Sequence, residues 1–224
     1  MFNISIDGYA GSGKSTVARI IAEKLNFHLL NTGEIYRSLT CAYLKENLGE
    51  PNNEKLEKFL KDKKFRIEFV DKSQFVYVND VCYKEMLRKE QVSVMTAKLS
   101  PFKVVRQSIL DLQRDFAKQY DCVMEGRDIG TVVLPDADIK FFLTASREVR
   151  AKRRFEQNKF KDENITFDSV MEVLKLRDYK DETREISPLK PAKDSIIIDN
   201  SNMTIEETVE KCLHIISKKI KVQK

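Results

Sequence analysis

The sequence predicts an α/β fold: a parallel five-stranded sheet with helices on both faces. Three observations carry that expectation. Short apolar runs at 3–6, 27–30, 122–124, 139–143 and 195–198 are separated mostly by stretches of helical periodicity. This alternation is how a parallel sheet buries both of its faces. Residues 8–15 read Gly8-Tyr9-Ala10-Gly11-Ser12-Gly13-Lys14-Ser15, matching G-x-x-x-x-G-K-[ST] at every specified position. Finally, 224 residues, 42% of them hydrophobic, suffice for one substantial core with smaller appendages.

The first unit is a strand, a glycine-rich turn and a helix. Phe2, Ile4 and Ile6 alternate with Asn3 and Ser5, and Asp7 closes the strand. Val17, Ile20, Ile21 and Leu25 then recur at helical spacing. A motif in this context predicts a P-loop NTPase fold. The turn aims consecutive backbone N–H groups at one spot, and the helix N-terminus adds its partial positive charge. Gly8 to Ser15, with Thr16, form the expected cradle for a nucleoside triphosphate. Lys14 reaches the β/γ-phosphates, and the Ser15 hydroxyl is the expected ligand of Mg²⁺. The bland alternative, a glycine-rich connector that binds nothing, does not require the flanking strand and helix.

Ligands in such folds bind at the carboxyl ends of strands. After the second strand comes Asn31-Thr32-Gly33-Glu34-Ile35-Tyr36-Arg37, where Thr32 and Gly33 are expected to cap the next helix. Arg37, one turn inside, is either a second phosphate ligand or a solvated helix charge. Residues 65–83 then interrupt the alternation. Phe65, Ile67 and Phe69 alternate with Arg66 and Glu68, a second run occupies 74–78, and Asn79-Asp80 turns the chain into 81–83. This reads as an antiparallel meander standing apart from the parallel core.

The third strand ends in Glu125-Gly126-Arg127-Asp128-Ile129-Gly130-Thr131. Arg127 suits a phosphate, and the Asp128 carboxylate suits the exocyclic amine of a base; a turn with a local ion pair is the alternative. After the fourth strand, Arg147, Arg150, Lys152, Arg153 and Arg154 place five cations beside one acid, Glu148, in eight residues. The polar segment 157–166 reads as a mobile flap, or as a plain surface loop. Beyond it, Arg177, Asp181 and Arg184 fall at i, i+4 and i+7 on one helix face, as an ion-pair ladder or as arginines closing over polyphosphate. Together these features describe a transferase with two phosphate sites. The P-loop holds the triphosphate, Arg37 and Arg127 hold a second phosphorylated molecule, and the flap excludes water.

Composition narrows the class. The net charge of +5, from 40 basic and 35 acidic residues, is spread through mixed-sign helices, and Trp is absent. Neither a basic stripe nor a stacking platform for nucleic acid is expected. No apolar run approaches a membrane span and no signal-peptide pattern is present. Cys41, Cys82, Cys122 and Cys212 lack metal-ligand spacing and read as free thiols in a reducing compartment. With only His28 and His214, a histidine triad or zinc site is not expected, and His28 reads as a packed residue. A cytoplasmic enzyme handling small anions fits.

These motifs resemble the bacterial-type cytidylate kinases, a branch of the nucleoside monophosphate kinases. The similarity runs from Ile4 to about Ile216 through the P-loop, the Thr32–Arg37 motif, Val105-Arg106, the Gly126–Thr131 motif, Arg177-Asp178 to Arg184, and Ser187-Pro188-Leu189. The resemblance implies transfer of a phosphoryl group from ATP, with Mg²⁺, to CMP and dCMP by a monomer. It implies a core of about 1–35, 100–156 and 185–224, a monophosphate-binding region of about 36–99, and a lid of about 157–166. It further implies that Thr32, Gly33, Arg37 and Arg127 form the monophosphate's phosphate site. Arg106 and Asp128 are placed around the base, Arg177 and Asp181 near the sugar, and Arg184 near the reacting phosphates or base. Lys14, Arg127, Arg177 and Arg184 are the implied catalytic set.

Cytosine's N4 amine complements a carboxylate where uracil presents an acceptor, so discrimination against UMP is expected. Three departures stand out: Asn31 and Glu125 where relatives usually have aspartate, and Ala97 where relatives often place a base-binding serine. Ser93, Thr96 and Ser100 are candidate substitutes for that hydroxyl. The rival readings are a kinase of the same fold acting on UMP, AMP or a non-nucleotide such as shikimate, and a nucleotide-dependent switch.

Overall fold

A computed structural model describes residues 1–159 and 165–223. Strands β1 (Asn3–Gly8), β2 (His28–Asn31), β6 (Cys122–Gly126), β7 (Ile139–Thr144) and β8 (Ile196–Asp199) form one sheet in the order β2-β6-β1-β7-β8. Every pairing in it is parallel. The expected five strands are therefore all present, within two residues of the expected bounds. The central strand β1 delivers the P-loop between the ends of its neighbours, since Asp7 lies level with Gly126 on one side and Phe142 on the other.

One face of the sheet is covered by α1 (Lys14–Leu25) and α8 (Ile205–Gln223). Ile4, Ile6, Val123, Phe141 and Leu143 bury there against Val17, Ile21, Val209, Cys212 and Ile216. The other face is covered by α2 (Thr32–Lys45) and α5 (Lys103–Gln119), where Leu30 and Met124 pack on Ile35, Ile109 and Phe116. Full burial of each large apolar side chain contributes about 1.5–3 kcal/mol. The His28 ring sits among Phe69, Phe116 and Tyr120, with centroids 4.8–5.9 Å away, as a packed residue. The four cysteines are unpaired thiols, and burial pushes Cys122 and Cys212 up to about 12.

Between α2 and α5 lie α3 (Asn53–Leu60), the antiparallel strands β3 (Phe65–Val70), β4 (Ser73–Val78) and β5 (Val81–Cys82), and α4 (Glu90–Leu99). Two tight turns join the strands, Asp71-Lys72 and Asn79-Asp80, each with both residues at positive φ. The meander forms its own sheet, but it does not stand apart from the core as expected. Val76 is buried with Leu30 and Ile35. The Gln74 amide accepts from Asn31 N at 2.8 Å and donates to Asn31 O at 3.1 Å, pairing with the open edge of β2 as a short strand would.

Helix α6 (Arg147–Lys159) and helix α7 (Phe167–Thr183) pack on each other beyond β7. Half of the expected flap at 157–166, residues 160–164, lies outside the described residues. Among the described residues, no helix is long and apolar enough to cross a membrane.

Candidate active site

The P-loop is built from backbone and held from behind. Gly8 has φ +149° and runs so close to β7 that a Cβ would stand 2.0 Å from Leu143 O. Gly13, at φ +86°, begins α1 without a side chain to cap it, so the first-turn N–H groups have no side-chain acceptor there. Lys14 is buried, its Nζ donating to Tyr9 O at 3.0 Å. Burial first, and then the Arg127 charge, lower its pKa to about 7. The Ser15 hydroxyl donates to Glu125 Oε2 at 2.7 Å.

Two residues of the basic run on α6 serve this loop rather than solvent. Arg150 is buried and donates to Ala10 O at 3.2 Å. Its guanidinium also forms a two-pronged pair with the buried Asp178 of α7, at 3.0 and 2.8 Å. Arg153 binds Asn200 at 3.0 and 2.9 Å, and Asn200 in turn donates to Ser12 O at 2.9 Å. Within the basic run of 147–154 these two cations therefore turn inward, their donors occupied by protein acceptors. Lys152 and Arg154 remain exposed.

Opposite the P-loop, the other strand ends converge. Asn31, not Thr32 or Gly33, caps α2: its Oδ1 accepts from Glu34 N at 3.2 Å. The Thr32 hydroxyl instead donates to Glu125 O at 2.8 Å, and Gly33 is exposed in the first turn. Arg37 is anchored to Leu87 O at 2.9 Å and Ser93 Oγ at 2.8 Å. Arg127 Nε donates to Asp181 Oδ2 at 2.9 Å. Burial alone would raise Asp181, but Arg127 and Arg177 outweigh it and hold the carboxyl below its usual range.

Arg177 is solvent-exposed at the mouth of this group. The protein packed around its guanidinium, and then the Arg127 charge, still lower it to about 10. Burial, followed by Arg154 and Arg127, likewise lowers Arg37. Lys14, Arg37, Arg127 and Arg177 therefore form a cationic focus whose members repel one another until an anion arrives.

Arg106 and Asp128 form a buried ion pair beside this focus, with Arg106 also donating to Ser100 O at 3.1 Å. The Tyr36 ring lies 5.6 Å from the Arg106 guanidinium carbon. Arg184 stands just past the end of α7, not on the helix as expected. Its Nη2 is buried without a hydrogen-bond partner, 3.9 Å from Asp128 Oδ1. Of the hydroxyls considered for the missing serine at Ala97, Thr96 is bonded to Thr40 and Val92 O, and Ser93 holds Arg37. Ala97 is itself exposed.

Two further groups escaped the sequence reading. Asp7 is buried, its two oxygens accepting from Ile129 N at 2.8 Å and Gly130 N at 2.7 Å. It thereby ties the strand before the P-loop to the segment after Asp128. Desolvation raises it to about 6 against those two bonds. Glu125, seen only as a longer aspartate, faces Ser15 across the strand ends. Position beside a glycine-rich turn was the only available signal for either. Among the described residues, no three His, Cys, Asp or Glu side chains come together to hold a metal. The Ser15–Glu125 oxygen pair at the head of α1 nonetheless suits Mg²⁺, which takes few protein ligands and keeps waters and phosphate oxygens.

Comparison with known proteins agrees with this geometry. The cytidylate kinase family model matches residues 4–218. A cytidylate kinase from Caldicellulosiruptor saccharolyticus is 41% identical over 218 residues, 97% of this chain and 96% of the relative. One from Clostridium botulinum (strain Okra / Type B1) is 44% identical over 216 residues, 96% of this chain and 98% of the relative. A solved structure of an uncharacterized protein from Eubacterium ventriosum shares the fold, with a TM-score of 0.55 and 15% identity across 97% of this chain and 99% of that one. A P-loop at the centre of a parallel sheet, a cationic focus facing it and relatives matched along nearly their whole length lead to one conclusion: the chain belongs to the cytidylate kinase family and is a kinase phosphotransferase.

Proposed function

We propose that this protein transfers the γ-phosphoryl group of ATP to CMP and dCMP, releasing ADP and CDP or dCDP. One observation carries the acceptor assignment: the Asp128 carboxylate is buried and held by Arg106 beside the phosphate-competent Arg127. A carboxylate accepts from the cytosine N4 amine, whereas uracil would set an acceptor against it. We take residues of about 1–35, 100–156 and 185–224 as the core, 36–99 as the acceptor region and 157–166 as the lid.

In this reading the backbone of residues 8–16 cradles the triphosphate, and Lys14 follows the β/γ-phosphates. Ser15, supported by Glu125, would hold Mg²⁺, which when bound offsets the charge of the β- and γ-phosphates. Arg37 and Arg127 orient the acceptor phosphate, with Thr32 and Gly33 lining that end of α2. Asp181 and Arg177 face the sugar side, Arg106 and Asp128 read the base, and Arg184 spans base and phosphates. An acceptor phosphate oxygen displaces ADP at the γ-phosphorus in line, one P–O bond forming as the other breaks. Such transfer is served by positioning and by preorganised positive charge rather than by a protein nucleophile. The cationic focus supplies both.

The test is ADP release from ATP with CMP, dCMP, UMP, AMP or no acceptor. Strong stimulation by CMP and dCMP is expected, with weaker stimulation by UMP. Equal turnover of CMP and UMP would defeat the base reading, and no stimulation by any monophosphate would defeat the enzyme assignment to this acceptor class.

A further inference from the structure

Ser187 sits at φ +53°, in the left-handed region, directly before Pro188. A residue with a side chain rarely adopts that conformation, and it persists only where its surroundings over-determine it. The surroundings here are the two arginines of the base site. Ser187 Oγ accepts from Arg106 Nε at 3.2 Å, and Ser187 O accepts from Arg184 Nε at 2.5 Å. The turn is pinned from its far side, where the buried Leu189 donates its N–H to Asp181 O at 2.7 Å.

We propose that Ser187 is a positioning residue for recognition of the acceptor base, orienting Arg106 through its hydroxyl and Arg184 through its carbonyl. Arg106 directs one N–H of Nη1 to Ser100 O and one of Nη2 to Asp128, and Ser187 Oγ accepts its single Nε–H, adding a third anchor on the other edge of the guanidinium. Arg184 has its Nε on Ser187 O and keeps Nη2 buried and unpartnered beside Asp128. An extended backbone at residue 187 would redirect its carbonyl and hydroxyl together. The left-handed turn is thus what lets one residue hold two cations around a single carboxylate. Removing the hydroxyl leaves the Arg106 Nε–H without its acceptor and loosens the hold on the carboxylate that distinguishes cytosine from uracil.

This inference rests on the proposed acceptor. Its test compares wild type with Ser187→Ala and Ser187→Gly, using CMP and UMP as acceptors at saturating ATP, and ATP as the varied substrate at saturating CMP. For both variants we expect KM for CMP to rise about tenfold and the CMP:UMP ratio of kcat/KM to fall by about the same factor. KM for ATP should stay within about twofold, a split that loosened folding would not produce. Glycine adopts the turn without strain, so wild-type selectivity in Ser187→Gly would assign the effect to backbone shape and overturn the hydroxyl's role. In a cycle with Arg106→Ala, the double variant should cost no more than Arg106→Ala alone; additive effects would overturn the inference as well. A wild-type CMP kinase whose variants keep its selectivity overturns this inference alone. A wild type that no pyrimidine monophosphate stimulates removes the acceptor reading and this inference with it.

Discussion

The proposed donor and acceptor halves of the site face each other but are made differently. The donor half is nine consecutive residues, 8–16, whose backbone does the work and whose shape is enforced by glycine conformation. It is braced from behind by Arg150, Asp178 and Asn200. The acceptor half is a set of side chains from α2, α5, the loop after β6, and the end of α7. Ion pairs between those side chains, Arg127–Asp181 and Arg106–Asp128, hold them in place. A backbone site depends on covalent neighbours and on a rigid support. A side-chain site depends on partners far away in sequence, so single substitutions should retune it without dismantling the donor loop.

The sharpest way to break this contrast is through the brace. Arg150→Ala leaves the buried Asp178 with only Arg147, at 3.5 Å, as a counter-charge and should destabilise the fold by up to about 3–5 kcal/mol. Urea unfolding at an unchanged m-value would read it. A loss below about 1 kcal/mol would mean that the loop carries its own shape. Next, Lys14→Ala should lower kcat by about 10²–10³-fold, the scale for removing one preorganised donor of transition-state charge. CMP affinity, measured by calorimetry without ATP, should change less than twofold, because Lys14 lies in the donor half.

A smaller effect sharpens the acceptor half. Asp128→Ala should reduce discrimination between CMP and UMP by about 10–100-fold, in line with about 1–3 kcal/mol per good base contact, while KM for ATP holds. Unchanged selectivity would remove Asp128 from base reading. The smallest expected signal is protonic. Lys14, lowered to about 7, is mostly neutral at pH 8 and mostly charged at pH 6. A bound triphosphate favours the charged form, so ATP binding should take up a proton at pH 8 and little at pH 6. Calorimetry in buffers of different ionisation enthalpy measures this directly, and equal uptake at both pH values would place the titrating group elsewhere.

Legibility in the sequence followed the same division. The P-loop, the five strands and their parallel pairing were readable because periodicity and glycine placement are local. Arg37, Arg127, Asp128 and Asp181 were readable as positions at strand ends and on a helix face, and Arg106 only through the family resemblance, while their pairing was not. Arg150 and Arg153 looked like their neighbours Lys152 and Arg154, since nothing in a basic run says which cations turn inward. Asn31 displaced Thr32 as the cap of α2 because the Thr32 hydroxyl reaches Glu125 O on β6. The meander's contact with the sheet hung on Gln74, whose amide pairs with a strand edge that only the assembled sheet presents.

By itself, then, the chain's order of residues determined the fold class, the phosphate cradle and the family, since each is written in contiguous motifs whose conformations neighbouring residues enforce. The tertiary structure alone decided which charges meet. It joined Asp7 to the segment carrying Asp128, turned Arg150 into a brace, and put one serine in a left-handed turn between two arginines. The reason is distance: an ion pair or a buried hydrogen bond is decided within about 4 Å of space, and sequence separation carries no information about that.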